Sequence, residues 1–292
     1  MDTAALLAVL FGLLAAVGWG LGDFWSARAI KTLGPITSLF YINLIGVVSY
    51  ALLLLIWRPS LHTTAAGLAY TLASGVFITT AASLFYKSLA AGPVSLVSPI
   101  SGAYPLVSGL LAVIVFGARL SVQQIVAIVI IVMGVAAASG LHAIRRAEHR
   151  VGRGPLLALC AMALYGGGFS LAAKAVEQLG WQLPVLISWG SSLPILLLPI
   201  VTNGEAVLRS ARQAFSHPYL VASAFIGVIG YICFNVGFSH DATTGTITIA
   251  VSACYPALTM ILALKHFKEK ITVVPLLGAI ATIVGVVLLS IS

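Results

Sequence analysis

Charge is what this chain has least of. Of its 292 residues only 8% are Asp, Glu, Lys or Arg, and the acids number seven. A soluble domain carries about a quarter charged residues. With 60% hydrophobic residues and a mean hydropathy of +1.11, an aqueous globule is excluded and lipid is the fitting solvent. Scattered acids and six histidines, mostly in loops and without i, i+4 pairing, supply neither a catalytic carboxylate pair nor a metal-ligand set. No enzymatic role, metal or cofactor is therefore expected. Cys160, Cys233 and Cys254 fall in apolar stretches without ligand spacing and read as small buried hydrophobes. Also missing are a phosphate-cradling P-loop, a dinucleotide fingerprint and an N-x-S/T acceptor. The first apolar segment lacks a basic leader, so it reads as a retained span. A net charge of +8 does not mean nucleic acid, because the basic residues sit at segment ends, where they meet headgroups.

What is present is written twice. Trp19-Gly20-Leu21-Gly22, Arg28-Ala29-Ile30 and Leu33-Gly34 return as Tyr165-Gly166-Gly167-Gly168, Lys174-Ala175-Val176 and Leu179-Gly180, at a constant offset of 146. Ser101, Tyr104-Pro105, Phe116, Leu120-Ser121, Gly134 and Ser139 return as Ser252, Tyr255-Pro256, Phe267, Ile271-Thr272, Gly285 and Ser290, at an offset of 151. Ten apolar runs emerge, at 4–28, 35–57, 67–90, 93–116, 121–139, 154–176, 183–201, 218–239, 243–264 and 271–291. The expected fold is an all-α membrane protein of ten transmembrane helices. Residues 1–140 and 154–292 form two five-helix repeats, and 141–153 is a basic connecting loop. Five spans per copy invert the second copy in the bilayer, an architecture of secondary transporters.

Twelve of the fifteen Lys and Arg fall on one side of such a layout: Arg28, Lys31, Lys87, Arg145, Arg146, Arg150, Arg153, Arg209, Arg212, Lys265, Lys268 and Lys270. Arg58, Arg119 and Lys174 fall on the other. The positive-inside rule puts the rich side in the cytoplasm and both termini outside.

These residues resemble the drug/metabolite transporter (DMT) superfamily, and in particular its EamA-type ten-helix members, over essentially the whole chain. The likeness rests on Gly18-Trp19-Gly20 with Tyr165-Gly166, on Pro99, Pro105 and Pro256 in the fourth and ninth spans, on the charged turn after each, and on Gly134 and Gly285. The resemblance implies a central site lined by spans 1–4 and 6–9 and buttressed by spans 5 and 10. It also implies cytoplasmic termini, opposite to the charge distribution. One departure stands out. Where the family usually carries Gly-Glu after the fourth span, this chain has Gly117-Ala118-Arg119, and only Lys268-Glu269 keeps the acid.

Asp23 is the sharpest site candidate. It lies one turn beyond Trp19 inside an apolar span, where a carboxylate costs roughly 2.5–3.5 kcal/mol or more unless it faces a cavity or a partner. Two readings stay open: a proton-coupling or cation-binding carboxylate, or a structural ion pair with Lys87. Its repeat-mate is Phe169, so the acid is not shared architecture. Ser101, Pro105 and Ser108 share one helical face, as do Ser252, Pro256 and Thr259, with Tyr104 and Tyr255 beside them. Prolines free backbone carbonyls that cavity water or neighbouring protein must satisfy, so these faces either line a polar path or pack closely. Trp19, Tyr165 and Trp189 suit an aromatic pocket able to face a cation. Asn43 and Asn235 are further polar candidates within spans, alongside Tyr41, Tyr86 and Tyr231. Trp25, Trp57 and Trp181, near span ends, read as interface anchors.

The expected function is secondary-active export of small metabolites, amino acids or drug-like amines by alternating access, with H+ as a candidate coupling ion. Uptake or exchange, and a non-transporting scaffold or sensor, are the alternatives. The expected partners are a small-molecule substrate and the lipid bilayer, in a bacterial cytoplasmic (inner) membrane, with monomer and homodimer both open.

Overall fold

The computed structural model describes residues 3–59, 61–116, 121–138, 152–202, 207–238, 248 and 251–290, and every regular element among them is a helix. In chain order these are α1 (Thr3–Leu33), α2 (Pro35–Trp57), α3 (Ala65–Ala91), α4 (Val94–Gly102), α5 (Tyr104–Phe116) and α6 (Val122–Ala138). There follow α7 (Arg153–Leu179), α8 (Gln182–Thr202), α9 (Val207–Ser216), α10 (Pro218–Phe238), α11 (Tyr255–Phe267) and α12 (Val273–Ser290). Gly117-Ala118-Arg119 and Arg145, Arg146 and Arg150 of the basic link lie outside the described residues. Seven stretches are long and apolar enough to cross a bilayer, and Val122–Ala138 and Val273–Leu289 are shorter apolar helices.

The repeat is visible in local geometry. α1, 31 residues and roughly 46 Å long, continues past the expected boundary at residue 28 and stops at Gly34. Gly34 (φ 79°, ψ 162°) and its mate Gly180 (φ 68°, ψ 176°) occupy a region only glycine visits readily, and each caps its helix through its N–H, to Ile30 O and Val176 O. Gly34→Ala should therefore lower stability by about 1–3 kcal/mol, read as a fall in the melting temperature of the purified protein.

The fourth span, expected as one helix, is two. The chain turns at Ala103, where Ala103 N–H bonds Ile100 O at 3.2 Å and Leu106 N–H bonds Ala103 O at 3.0 Å. The second copy does the same one offset later, Cys254 N–H to Val251 O at 3.2 Å and Ala257 N–H to Cys254 O at 2.9 Å. The cause is Pro105 and Pro256, which have no N–H to continue the ladder and begin a new helix instead. Pro99, by contrast, sits inside an unbroken α4.

Helix pairing crosses between copies. Along α1, Gly18, Gly22 and Ser26 meet Gly230, Ile226 and Ser223 of α10, so the two run antiparallel. Along α3, Gly67, Ile78 and Gly92 meet Leu179, Gly168 and Gly154, so α7 runs opposite to α3. Glycine makes these approaches possible. A Cβ on Gly18 would lie 2.7 Å from Gly230 Cα, and one on Gly166 would collide with Val107 Cβ. Gly109 has nothing within 4 Å of such an atom. Gly166→Ala should thus cost about 1–3 kcal/mol as an overpacked contact, while Gly109→Ala leaves the melting temperature near that of the native protein.

Side chains on the outer surface are apolar, with Leu55, Ile56, Ile114 and Val122 at least 70% exposed. Lipid covers such a surface, which also explains a correction. Cys160 and Cys254, expected to be buried, are exposed, because hydrocarbon accepts a small apolar side chain as readily as a protein core does. Connections carrying the basic residues gather at one end. Lys31 lies over Phe267, Arg28 bonds Tyr219, Glu269 bonds Ser95, and Gly92 touches Gly154.

Candidate functional site

Three pairs of repeat-mates meet in the middle of the bundle: Trp19 with Tyr165, Tyr255 with Tyr104, and Asp23 with Phe169. Trp19 of α1 sets its edge on Tyr255 of α11 at 5.8 Å, and in the other copy Tyr165 of α7 lies 6.2 Å from Tyr104 of α5. Phe169 closes one side, 4.5 Å from Tyr104 and stacked on Tyr165 at 5.8 Å. Phe234 of α10 adds a ring 5.2 Å from Trp19. Trp19, Asp23, Tyr104, Tyr165, Phe169, Phe234 and Tyr255 all keep partial accessibility inside the bundle, as residues around an internal opening do.

Asp23 is where the mates differ in charge, an acid in one copy and the ring of Phe169 in the other. Its Oδ2 accepts a hydrogen bond from Ser98 Oγ of α4 at 3.3 Å, and the phenols of Tyr86, Tyr165 and Tyr255 lie within electrostatic reach. The alternative of an ion pair with Lys87 is corrected. Lys87 is exposed at the end of α3, and among the described residues the ion pair present is Lys174–Glu177 at 2.9 Å. Lys87 lies one residue past Tyr86, so the helix turns its side chain away from the face that Tyr86 presents to Asp23. Beneath Asp23, Ser26 shares hydrogen bonds with Tyr86 OH at 3.0 Å and Ser223 Oγ at 2.7 Å, and Ser223 donates to Gly22 O at 2.9 Å. No sequence signal marked Ser26 or Ser223, since a small hydroxyl in a helix usually bonds its own turn.

The hydroxyl faces of the broken spans resolve in favour of packing. Ser101 Oγ donates to Ala158 O at 3.4 Å and Ser108 Oγ to Gly166 O at 3.0 Å. Thr259 Oγ1 donates to Gly20 O at 3.1 Å. Ser108 with Gly166 and Thr259 with Gly20 are repeat-mates of one another, so one contact is built twice. Ser101, Ser252 and Thr259 are at most 2% exposed. They are not cavity-lining here. Single cysteines at Ser101 and Thr259, in a background without native cysteines, should resist a water-soluble thiol reagent under conditions that label a cysteine at Phe169.

Two further expectations are corrected. Trp189 meets Tyr231 at 5.5 Å and Tyr50 at 6.1 Å edge to face, in a second aromatic group with Trp181, and has no ring contact with Trp19 or Tyr165 among the described residues. The reason is its place on α8, which packs against α2 through Gly46. Asn235 is buried with its amide on Tyr231 O at 2.8 Å, a bond within its own helix. Asn43 donates to Ser192 Oγ at 2.9 Å, tying α2 to α8. Trp57, half exposed, lies 5.6 Å from Trp181. Among the described residues no group of His, Cys, Asp and Glu has metal-binding geometry.

Comparison with known proteins agrees with this architecture. An uncharacterised protein of Methanocaldococcus jannaschii is 30% identical over 135 residues, 46% of this chain and 95% of its own length. A crystal structure of a protein 18% identical superposes with a TM-score of 0.60, covering 97% of this chain and 96% of that one. The EamA-like transporter family matches residues 6–140 and again 152–291. The chain therefore belongs to the EamA-like transporter family, within the drug/metabolite transporter superfamily, and is an integral membrane protein of the transporter class.

Proposed function

We propose that the protein is a secondary-active exporter of small amines, amino acids or similar metabolites that carry a positive charge beside a flat apolar part. The observation carrying this reading is the asymmetry of the central cage. One copy offers a carboxylate at Asp23 where the other offers the ring of Phe169, with Trp19, Tyr104, Tyr165 and Tyr255 between them. A cationic group set against Asp23 and a ring stacked on Phe169 satisfy both ends, and tyrosine faces tolerate the cation in transit. Ten spans, arranged as two inverted halves at 1–140 and 154–292, would rock about this site, with the proline breaks at Pro105 and Pro256 as joints. A proton gradient would supply the energy, with Asp23 taking up a proton as substrate leaves and releasing it as substrate binds, since the sequence of neither half has a nucleotide-binding motif.

The charge distribution favours termini outside and the basic end in the cytoplasm, in a bacterial inner membrane. A melting-temperature screen of detergent-purified protein against aromatic amines, amino acids and nucleobases tests the substrate class. A ligand of the folded state raises stability by mass action. Aromatic amines should give the largest shift. Shifts confined to anionic or uncharged solutes would remove Asp23 from recognition. Absence of solute movement in liposomes under any gradient would leave the scaffold or sensor reading instead.

A further inference from the structure

The basic end of the bundle holds cations that the central cage does not use. Arg28 lies on a shelf of rings from three helices: Phe24 of α1 at 5.0 Å, Tyr219 of α10 at 4.7 Å and Phe267 of α11 at 5.9 Å. Its Nη1 donates to Tyr219 OH at 2.6 Å, leaving most of its five N–H donors free for another acceptor. Lys31 Nζ sits 4.0 Å from the centre of the same Phe267 ring. Among the described residues the acid at this end, Glu269, is taken up by Val94 and Ser95. Among the described residues no carboxylate pairs with Arg28 or Lys31. Next to them His217, 6.0 Å from the Tyr219 ring, has a buried Nδ1 with no partner. Two cations thus lie over one ring shelf without a carboxylate partner among the described residues, and a buried nitrogen without a partner lies behind Tyr219.

α9 supplies the second observation. In sequence its residues read as a polar connection between two spans, yet they form a helix. It packs inward through Ser210, bonded to Tyr41 OH at 3.0 Å, and through the fully buried Ala214. Arg212 and Gln213 face outward, and Phe215 is 55% exposed although its ring still reaches Tyr41. A helix with an exposed ring beside an exposed arginine, at the end of membrane-spanning segments, lies along the headgroup layer. It packs against α1 and α10, and Tyr219, three residues beyond its end, holds Arg28 at that same end of the bundle.

We infer that this corner binds the phosphate of an anionic phospholipid headgroup, held by the Arg28 fork and the Lys31 ammonium, with Phe215 against the acyl boundary. Guanidinium suits phosphate because two N–H groups meet two oxygens, and its flat face is already steadied by the rings. A lipid fits better than a soluble anion, since the shelf opens onto a surface that lipid must cover.

The test compares full-length protein in micelles containing phosphatidylglycerol, in micelles containing phosphatidylcholine, and in the latter with inorganic phosphate. Phosphatidylglycerol should raise the melting temperature above the phosphatidylcholine value and co-purify in native mass spectra. Inorganic phosphate alone should do neither. Lys31→Gln, at an exposed side chain with one ring contact, should erase most of the phosphatidylglycerol increment while melting normally in phosphatidylcholine. Arg28→Gln should erase the rest. Equal melting in both lipids, or an increment that survives both substitutions, overturns the inference. An increment reproduced by phosphate alone also overturns it, in favour of a soluble-anion site. A uniform loss of stability in every lipid would mark Arg28 as a structural clamp and likewise overturn it.

Discussion

Asp23→Asn should yield a folded protein whose solute flux in liposomes no longer responds to a pH gradient. The substitution keeps shape and size, and the amide oxygen still accepts from Ser98 Oγ, so the contact between α1 and α4 survives. What it removes is the negative charge and the ability to take up a proton. Trp19, Tyr104, Tyr165, Phe169, Phe234 and Tyr255, the other described residues of the cage, include no second carboxylate to supply that function. Gradient-driven flux should fall by about tenfold or more, a loss of at least about 1.4 kcal/mol in coupling. Phe169→Ala, at the mate position, should act differently. It removes a stacking face worth about 1 kcal/mol, raises half-saturation about fivefold and leaves the gradient dependence intact. If Asp23→Asn retained the native response to pH, the acid would be structural and the coupling would have to reside elsewhere.

The contrast between these mates shows what the sequence could and could not disclose. A repeat with constant offsets announced a paired architecture, because the same local solutions recur at matched positions. Gly34 and Gly180 end their helices alike, and Pro105 and Pro256 break theirs alike. Trp19, Tyr104, Tyr165 and Tyr255 were marked by the same matching, and Asp23 by failing it. Direction within a face was not legible. Serine and threonine on an apolar helix look the same whether they meet water or a neighbouring backbone, and Ser101, Ser108 and Thr259 meet backbone carbonyls of α7 and α1. Glycines on those partner helices were the missing clue. Gly20 and Gly166 leave their carbonyls open to exactly such donors, but the pairing joins residues 58 and 239 positions apart. Trp189 lies apart from Trp19 and Tyr165 for the same reason, since composition places an aromatic in a span but not on a side of it.

Glu269→Ala should be the most destabilising single change outside the cage. α4 begins at Val94 after Pro93, which brings no side-chain cap, so its first amides would otherwise be orphaned in the bundle. Glu269, arriving from the turn after α11, accepts from Val94 N–H at 2.8 Å, from Ser95 N–H at 3.0 Å and from Ser95 Oγ. A carboxylate at a helix N-terminus gains from charge-assisted bonds and from the helix dipole together. Lys268, held at φ 53°, aims it there. Its mate in the first copy is Ala118, so the sequence offers no second acid for the equivalent task. Alanine should cost about 2–4 kcal/mol, since each bond to a charged group is worth about 1.5–3 kcal/mol and the three are not additive. Glutamine, which still accepts through one oxygen, should cost less, and Ser95→Ala, which removes one donor only, about 1 kcal/mol. Melting temperatures of the purified variants should fall in that order, and an alanine variant as stable as the native protein would show the contact to be incidental. The consequence reaches the site, because α4 is the helix that delivers Ser98 to Asp23. Loosening its first turn should lower transport at temperatures well below the melting transition, and the glutamine variant should recover part of it.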